Sequence, residues 1–422
     1  MEEGKNTQGE LNRSLNSRHI TMIAIGGAIG TGLFLGSGQA IHYAGPSIII
    51  AYLIMGIFTY LLMRALGELM LSDTSKHSFI DFVKVYLGPR AEFMTGWMYW
   101  ICWISLAMAD LTATGIYLRY WFPNLPQWVG PLVIVIVLMA ANSVNVGLFG
   151  EIESWFAFIK VAAIEALIVV GLILIFSHHV AHGTAASFSN LVRFGGIFPN
   201  GGSGFMKGCQ MVVFAFAGIE MVGVTAGEAA NPEKELPKAI NTLPVRIGLF
   251  YIGSMIVIMS VYPWYAVKTT SSPFVQVFSA MGIKYAAGII NFVVLTAAMS
   301  ATNSALFTTS RTLYTLACDG DAPVYFGTLS PEAVPKRALN CSTLVLLLAV
   351  ILNYLVPSKI FEIISSVSTI NFLFVWVIIM ICHLIYRHQG GKVENYTMPG
   401  YPFTSWLTLA FFGVVLIVLF IE

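Results

Sequence analysis

The chain has 422 residues, 57% of them hydrophobic and only 10% charged, with 22 Lys and Arg set against 21 Asp and Glu. Soluble globular chains carry about 25% charged residues, so a water-soluble fold is excluded. The balanced charge, with no basic stripe, gives no reason to expect a nucleic acid partner.

Apolar runs near the roughly 20 residues that cross a hydrocarbon core recur along the chain. In order they are Ile20 to Ile41, Ser47 to Leu71, Glu92 to Trp121, Leu132 to Val146, Trp155 to Phe176, Gly204 to Ala226, Ile247 to Tyr265, Ala286 to Leu316, Ala338 to Leu355, Phe361 to Tyr386 and Phe403 to Ile421, eleven in all. The segment Met1 to Arg18 is polar and mixed in charge, unlike a cleaved signal peptide, so the first run is expected to stay in the protein. With the N-terminus placed on the cytoplasmic side, fifteen Lys and Arg lie at inner ends and loops. Six lie outside: Arg119, Arg193, Lys207, Lys268, Lys284 and Lys359. Cytoplasmic loops keep the positive charge, which predicts that orientation in an inner or plasma membrane. Eleven spans would leave the C-terminus outside, and Glu422 directly after the last run reads as the end of a truncated chain.

The five cysteines lack the close paired spacing of a metal or redox site and read as small core residues. His178, His179 and His182 cluster in one outer loop, with no Cys or carboxylate near enough to complete a metal shell. With no haem ligand pair, buried catalytic dyad or phosphate loop, the sequence predicts no enzyme, no metal and no cofactor.

The first run carries Gly26, Gly27, Gly30, Gly32, Gly36 and Gly38. Glycine inside a helix costs about 1 kcal/mol relative to Ala, so six need a reason. Close packing through GxxxG spacings is one. Unwinding is the other, and the matching interruption in the sixth run, Phe214-Ala-Phe-Ala-Gly-Ile-Glu220, stands five runs later. Paired interrupted segments at that offset point to inverted five-span repeats with a mid-membrane binding site. Backbone groups freed in a dry membrane require a ligand or water, and a zwitterion fits. Its carboxylate would meet the N–H groups of Ile29, Gly30, Thr31 and Gly32 at the start of a half-helix. Its ammonium would meet carbonyls near Ala24 to Gly27 and Phe214 to Ala217. The Gly30-x-Gly32 spacing is not a dinucleotide loop, since no strand precedes it and the next Gly is missing.

Four ionisable residues stand inside runs: Asp110, Lys160, Glu165 and Glu220. Each costs at least ~2.5 kcal/mol at the bilayer centre unless it faces a cavity or a partner. Lys160 either snorkels to the interface on its long stem or is desolvated and exchanges a proton. Glu220, two residues past Gly218, either bridges the break or lines the cavity. Asp110 either faces substrate or pairs within the scaffold. Glu165 follows Lys160 by five residues, about 140° round the helix, so the two do not share a face. Arg64 and Glu68, four apart, read as a helix-surface pair.

Together, the string IGGAIGTGLFLGSG from Ile25, RALGE from Arg64, FGEIESWFAFIK ending at Lys160 and FAFAGIEMVGVTAGEAANPEKELPKAI from Phe214 resemble the amino acid transporter family of the amino acid, polyamine and organocation superfamily, from about Ser17 to Arg387. That resemblance implies an all-α integral membrane protein with a LeuT-type 5+5 inverted-repeat fold, helices 1 and 6 broken, and the usual twelfth span missing. Residues 1–17 would be a cytoplasmic tail, 18–176 the first repeat, 177–203 an extracellular loop, 204–386 the second repeat, and 387–422 an inner loop and last span. It further implies proton-coupled amino acid uptake. Lys160 would stand in for a sodium ion, with Ser300, Asn303 and Ser304 on the eighth span facing it and Phe216 as an aromatic lid over the substrate. Phe214, Ala217, Gly218, Asp110 and Glu220 complete the expected site. Met108-Ala-Asp110 and Asn291-Phe-Val-Val-Leu-Thr296 look most like the branch carrying D-alanine, D-serine and glycine, so small neutral amino acids are the expected substrates. Glu165, usually apolar in relatives, would alter the proton pathway. An exchanger or polyamine carrier of the same fold, and an amino acid sensor, stand as alternatives, and the oligomeric state is left open, a monomer included.

Overall fold

The computed structural model describes residues 29–76, 78–143, 146–181, 183–221, 232–282, 285–331, 333–357 and 359–421. The N-terminal part of the first run, with Gly26 and Gly27, and the segment 222–231 lie outside the described residues. Described residues are overwhelmingly helical, and seven helical stretches are long and apolar enough to cross a membrane.

The stretch Gly32–Ser72 holds the outer part of the first run and the whole second run. It comprises a π-helical turn Gly32–Gly36, α1 (Ser37–Ala44) and, after a corner at Gly45–Ser47, α2 (Ile48–Ser72). A capped helix α3 (Phe79–Leu87) leads into α4 (Pro89–Leu118), α5 (Val129–Asn142) and α6 (Val146–Phe176). A short antiparallel hairpin, β1 (Val180–Ala181) with β2 (Thr184–Ala185), and a single turn α7 (Asn190–Arg193) lead to α8 (Gly201–Phe216). Then come α9 (Pro232–Asn241), α10 (Leu243–Arg246), a π-helical segment Ile247–Gly253, α11 (Ser254–Val261) and α12 (Pro273–Ala280). The last four are α13 (Ala286–Cys318), α14 (Lys336–Leu355), α15 (Ile360–His388) and α16 (Phe403–Ile421).

Long helices α4 and α13 pack along each other more extensively than any other pair among the described residues, with α15 also against α4 and α6 against α13. The half-helices α1 and α8 pair with each other, and α8 also packs on α2 and α15. Apolar side chains such as Leu53, Ile57, Val137, Phe158, Val169 and Ile173 lie exposed, whereas Asp110, Glu153, Lys160 and Glu220 are buried. Ions inside and large apolar groups outside is the arrangement a hydrocarbon solvent selects.

The expected Arg64–Glu68 surface pair does not form. Glu68 is fully buried and accepts from Arg387 Nη1 at 2.7 Å and the backbone N–H of Met398 at 2.8 Å, with His383 Nε2 3.0 Å away. Arg64 donates to Asn241 Oδ1 at 3.0 Å and lies over the Tyr396 ring. The linker between α15 and α16 folds back against the C-terminal end of α2, and its groups satisfy both charges better than an exposed pair four residues apart can.

Candidate functional site

The two interrupted runs meet at their breaks. Ile29 and Gly30 are non-helical, and the chain becomes helical at Thr31, with Gly30 C=O accepting from Leu33 and Phe34 N–H at 3.3 and 3.4 Å. In the sixth run α8 stops at Phe216, Ala217 turns to ψ 137°, and Gly218 takes φ +86°, a left-handed conformation that glycine adopts at little cost. A Cβ on Gly32 would stand 2.6 Å from Ala215 Cα, so the two chains touch backbone to backbone. Close packing and unwinding, weighed as alternatives in the sequence, are both present. The first break is described from its outer side.

A small enclosed cavity lies at this junction. Gly30, Thr31 and Gly32 form one wall, Phe214, Ala215 and Ala217 another. Trp103, Leu106 and Asp110 come from α4, and Ala301 and Ser304 from α13. Spacings of three and seven on α4, and of three on α13, put each set on one helix face. The volume, about 10 Å³, is that of roughly one water molecule. Asp110 Oδ1 accepts from Thr31 Oγ at 2.6 Å and lies 3.4 Å from the Thr31 backbone N. Asp110 Oδ2 and Ser304 Oγ, both buried, have no hydrogen-bond partner among the described residues.

Other expected site residues sit outside this wall. Phe216 is stacked on Tyr251, with ring centroids 4.9 Å apart and planes 11° apart, and lies near Tyr52; Tyr251 in turn donates to Ala215 C=O at 3.0 Å. Positions 214 and 216 differ by about 200° round a helix, so one ring at most can face the cavity. Phe214 takes that place, and the expected lid Phe216 is captured by the tyrosine shelf. Ile29 is buried beside the break without lining the cavity. Glu220 Oε2 accepts from Trp376 Nε1 at 3.1 Å, bridging the sixth run to α15. Asn303 Oδ1 accepts from Asn142 Nδ2 at 2.6 Å, tying α13 to α5.

Lys160 is buried, 1% exposed, so it does not snorkel. Its Nζ is 3.8 Å from Glu153 Oε1, which also accepts from Ser300 Oγ at 2.6 Å. Glu153 was not singled out in the sequence because it precedes the fifth apolar run. The signal was present, since a seven-residue spacing is about two turns and puts Glu153 and Lys160 on one face. Ser300 and Ser304 stand one turn apart on α13, the first on the ion cluster and the second on the cavity. Glu165 is exposed on the opposite side of α6, as its angular offset from Lys160 requires.

Comparison with known proteins agrees with this architecture. The family model described as Amino acid permease matches residues 19–422. The chain is 57% identical over 415 residues to "Amino-acid permease AapA" of Bacillus subtilis, covering 98% of this chain and 90% of the relative. It is 56% identical to "Uncharacterized transporter YdgF" of the same organism, over 98% and 91%. It is 50% identical over 418 residues to a "D-serine/D-alanine/glycine transporter" of Escherichia coli, over 98% and 89%.

Proposed function

The chain belongs to the amino acid permease family, and from that premise we propose that it imports small neutral amino acids, alanine, serine and glycine with their D-enantiomers included, by proton-coupled alternating access. The observation that carries the reading is the cavity at the junction of the two broken runs. Its walls combine the backbone of Gly30 to Gly32 at a helix start, a buried carboxylate on Asp110 and a hydroxyl on Ser304. Those groups match a zwitterion, and the bulk of Trp103, Leu106 and Phe214 around them would crowd any long side chain once the site opens to admit one. Relatives named for D-serine, D-alanine and glycine, or for threonine and serine, support the same substrate class.

On this reading the fold is the LeuT-type 5+5 inverted repeat with eleven spans, set in the cell membrane with a cytoplasmic N-terminus. Protonated Lys160, held beside Glu153, braces the first run against α13 while substrate enters from outside. Loss of the proton towards the cytoplasm loosens the brace, and the inner halves of the first and sixth runs swing to release the amino acid. Uptake of labelled D-alanine, L-alanine and glycine into proteoliposomes, with and without an inward proton gradient, tests the scheme. Accumulation should need the gradient and disappear in Lys160→Ala. Accumulation indifferent to both would sink proton coupling and favour an exchanger, and no transport of any of the three would refute the substrate class.

A further inference from the structure

The start of the outer half-helix of the first run is where a substrate carboxylate is expected to dock, yet a carboxylate from the protein already sits there. Asp110 reaches from α4 across 79 sequence positions to place Oδ1 on the Thr31 hydroxyl at 2.6 Å, with the Thr31 backbone N 3.4 Å away. Around it the cavity measures about 10 Å³, enough for one water and far too small for an amino acid. The second oxygen, Oδ2, is buried and has no partner among the described residues, as is true of Ser304 Oγ on the opposite wall. A Cβ on Gly30 would stand 3.7 Å from Asp110 Oδ1, so the carboxylate lies directly against the unwound backbone.

We propose that Asp110 is a stand-in for the substrate carboxylate: in the empty carrier it occupies the substrate's place on Thr31 and lets the site close without cargo. This rests on the transport reading above. An incoming amino acid displaces Asp110 with its own carboxylate, and the released Asp110 oxygens, with Ser304, turn to the ammonium. One aspartate thus satisfies the half-helix start in the empty state and the substrate's opposite pole in the loaded state. The functional consequence concerns the return step. A carrier that closes only around substrate is confined to exchange, because its empty form cannot reorient. A carrier with a built-in carboxylate closes empty, returns and gives net uptake.

The test compares two fluxes of alanine in proteoliposomes of the purified full chain: net uptake into substrate-free vesicles, and counterflow exchange into vesicles preloaded with unlabelled alanine. Only net uptake requires the empty return. In Asp110→Ala the ratio of net to exchange flux should fall about fivefold or more, since a charge-assisted hydrogen bond holding the empty closed form is lost. Asp110→Asn, whose amide oxygen still accepts from Thr31, should show a smaller fall. The fall should persist without a proton gradient, which separates it from the effect of Lys160→Ala. If Asp110→Ala does not reconstitute, Thr31→Val removes the hydroxyl donor and carries the same ratio test. Net and exchange fluxes that drop in parallel, or a ratio that falls less than that, would overturn the stand-in and leave Asp110 an ordinary substrate or scaffold contact. Failure of the transport reading would show differently, as absence of alanine flux in the wild type.

Discussion

Gly32→Ala puts the contact between the two broken runs to a quantitative test. The added Cβ would lie 2.6 Å from Ala215 Cα, 3.0 Å from Ala215 N and 3.1 Å from Phe214 O. Carbon atoms rest at about 3.5–4.0 Å, so the first and sixth runs must part by roughly 1 Å. All three obstructing atoms are backbone, which no rotamer change relieves. Overpacking of this kind costs about 1–3 kcal/mol, and at 1.4 kcal/mol per factor of ten the closed arrangement loses roughly 5- to 150-fold in population. Initial uptake rates in proteoliposomes, beside thermal melting in detergent, should show transport down by about tenfold with the protein still folded. Gly36→Ala is the control, four residues along the same helix. Its Cβ meets Met211 Sδ at 3.6 Å and Phe214 Cδ1 at 3.9 Å, ordinary contacts, so uptake should stay within about twofold of wild type. Wild-type uptake by Gly32→Ala would refute the claim that the breaks must touch for the carrier to cycle.

Three further substitutions probe acidic side chains. Glu153→Gln keeps an acceptor for Ser300 but removes the charge beside Lys160, and gradient-driven accumulation should fall by about tenfold, a loss read against counterflow in the same vesicles. Glu68→Ala strands Arg387, His383 and the Met398 N–H at the inner end, so melting should show a loss of about 3–5 kcal/mol and proteolysis should open the linker between α15 and α16; an unchanged melting curve would count against the buried hub. Glu165→Leu replaces an exposed acid about 15 Å along the helix from either end of its apolar run, and should leave uptake within about twofold while holding or raising the melting temperature. Loss of gradient-driven uptake in that variant would put Glu165 on the proton path after all.

What was legible in the sequence follows from which forces are local. The two breaks could be read because unwinding a membrane helix needs glycine in a place where glycine is otherwise costly, and because the two interruptions keep a five-run offset. Lys160 stood out because an ion in an apolar run demands an explanation, and its angular separation from Glu165 followed from helix geometry alone. Partners were another matter. Asp110 finds Thr31 across 79 positions, Glu153 finds Ser300 across 147, and Glu68 finds Met398 across 330. Each pairing depends on how distant helices are set against one another, which periodicity does not encode. Phe214 and Phe216 were both expected at the site for the same reason: either ring could face the cavity until Tyr52 and Tyr251 supplied a place for Phe216.

The position of α13 bears on how a proton and a substrate could be coupled. Ser300 donates to Glu153 in the Glu153–Lys160 cluster and Ser304 faces the cavity, so the two regions are about one helical turn, about 5.4 Å, apart on a single element. That element and α4 form the most extensively packed pair in the described fold, and a tightly packed interior transmits strain instead of absorbing it. A change of charge on Lys160 therefore has little freedom to act by bending α13. It must act on whatever is less firmly held at the same junction, and the first run is the element whose helix is interrupted there, with Thr31 tied to α4 through a carboxylate and Gly32 in contact with Ala215. Coupling through movement of the first run, with α4 and α13 as the fixed reference, is the arrangement these constraints favour. On the two proposals above, it would also give Asp110 and Lys160 separate tasks: Asp110 would govern whether the first run closes in the absence of cargo, and Lys160 on which side the closed carrier reopens.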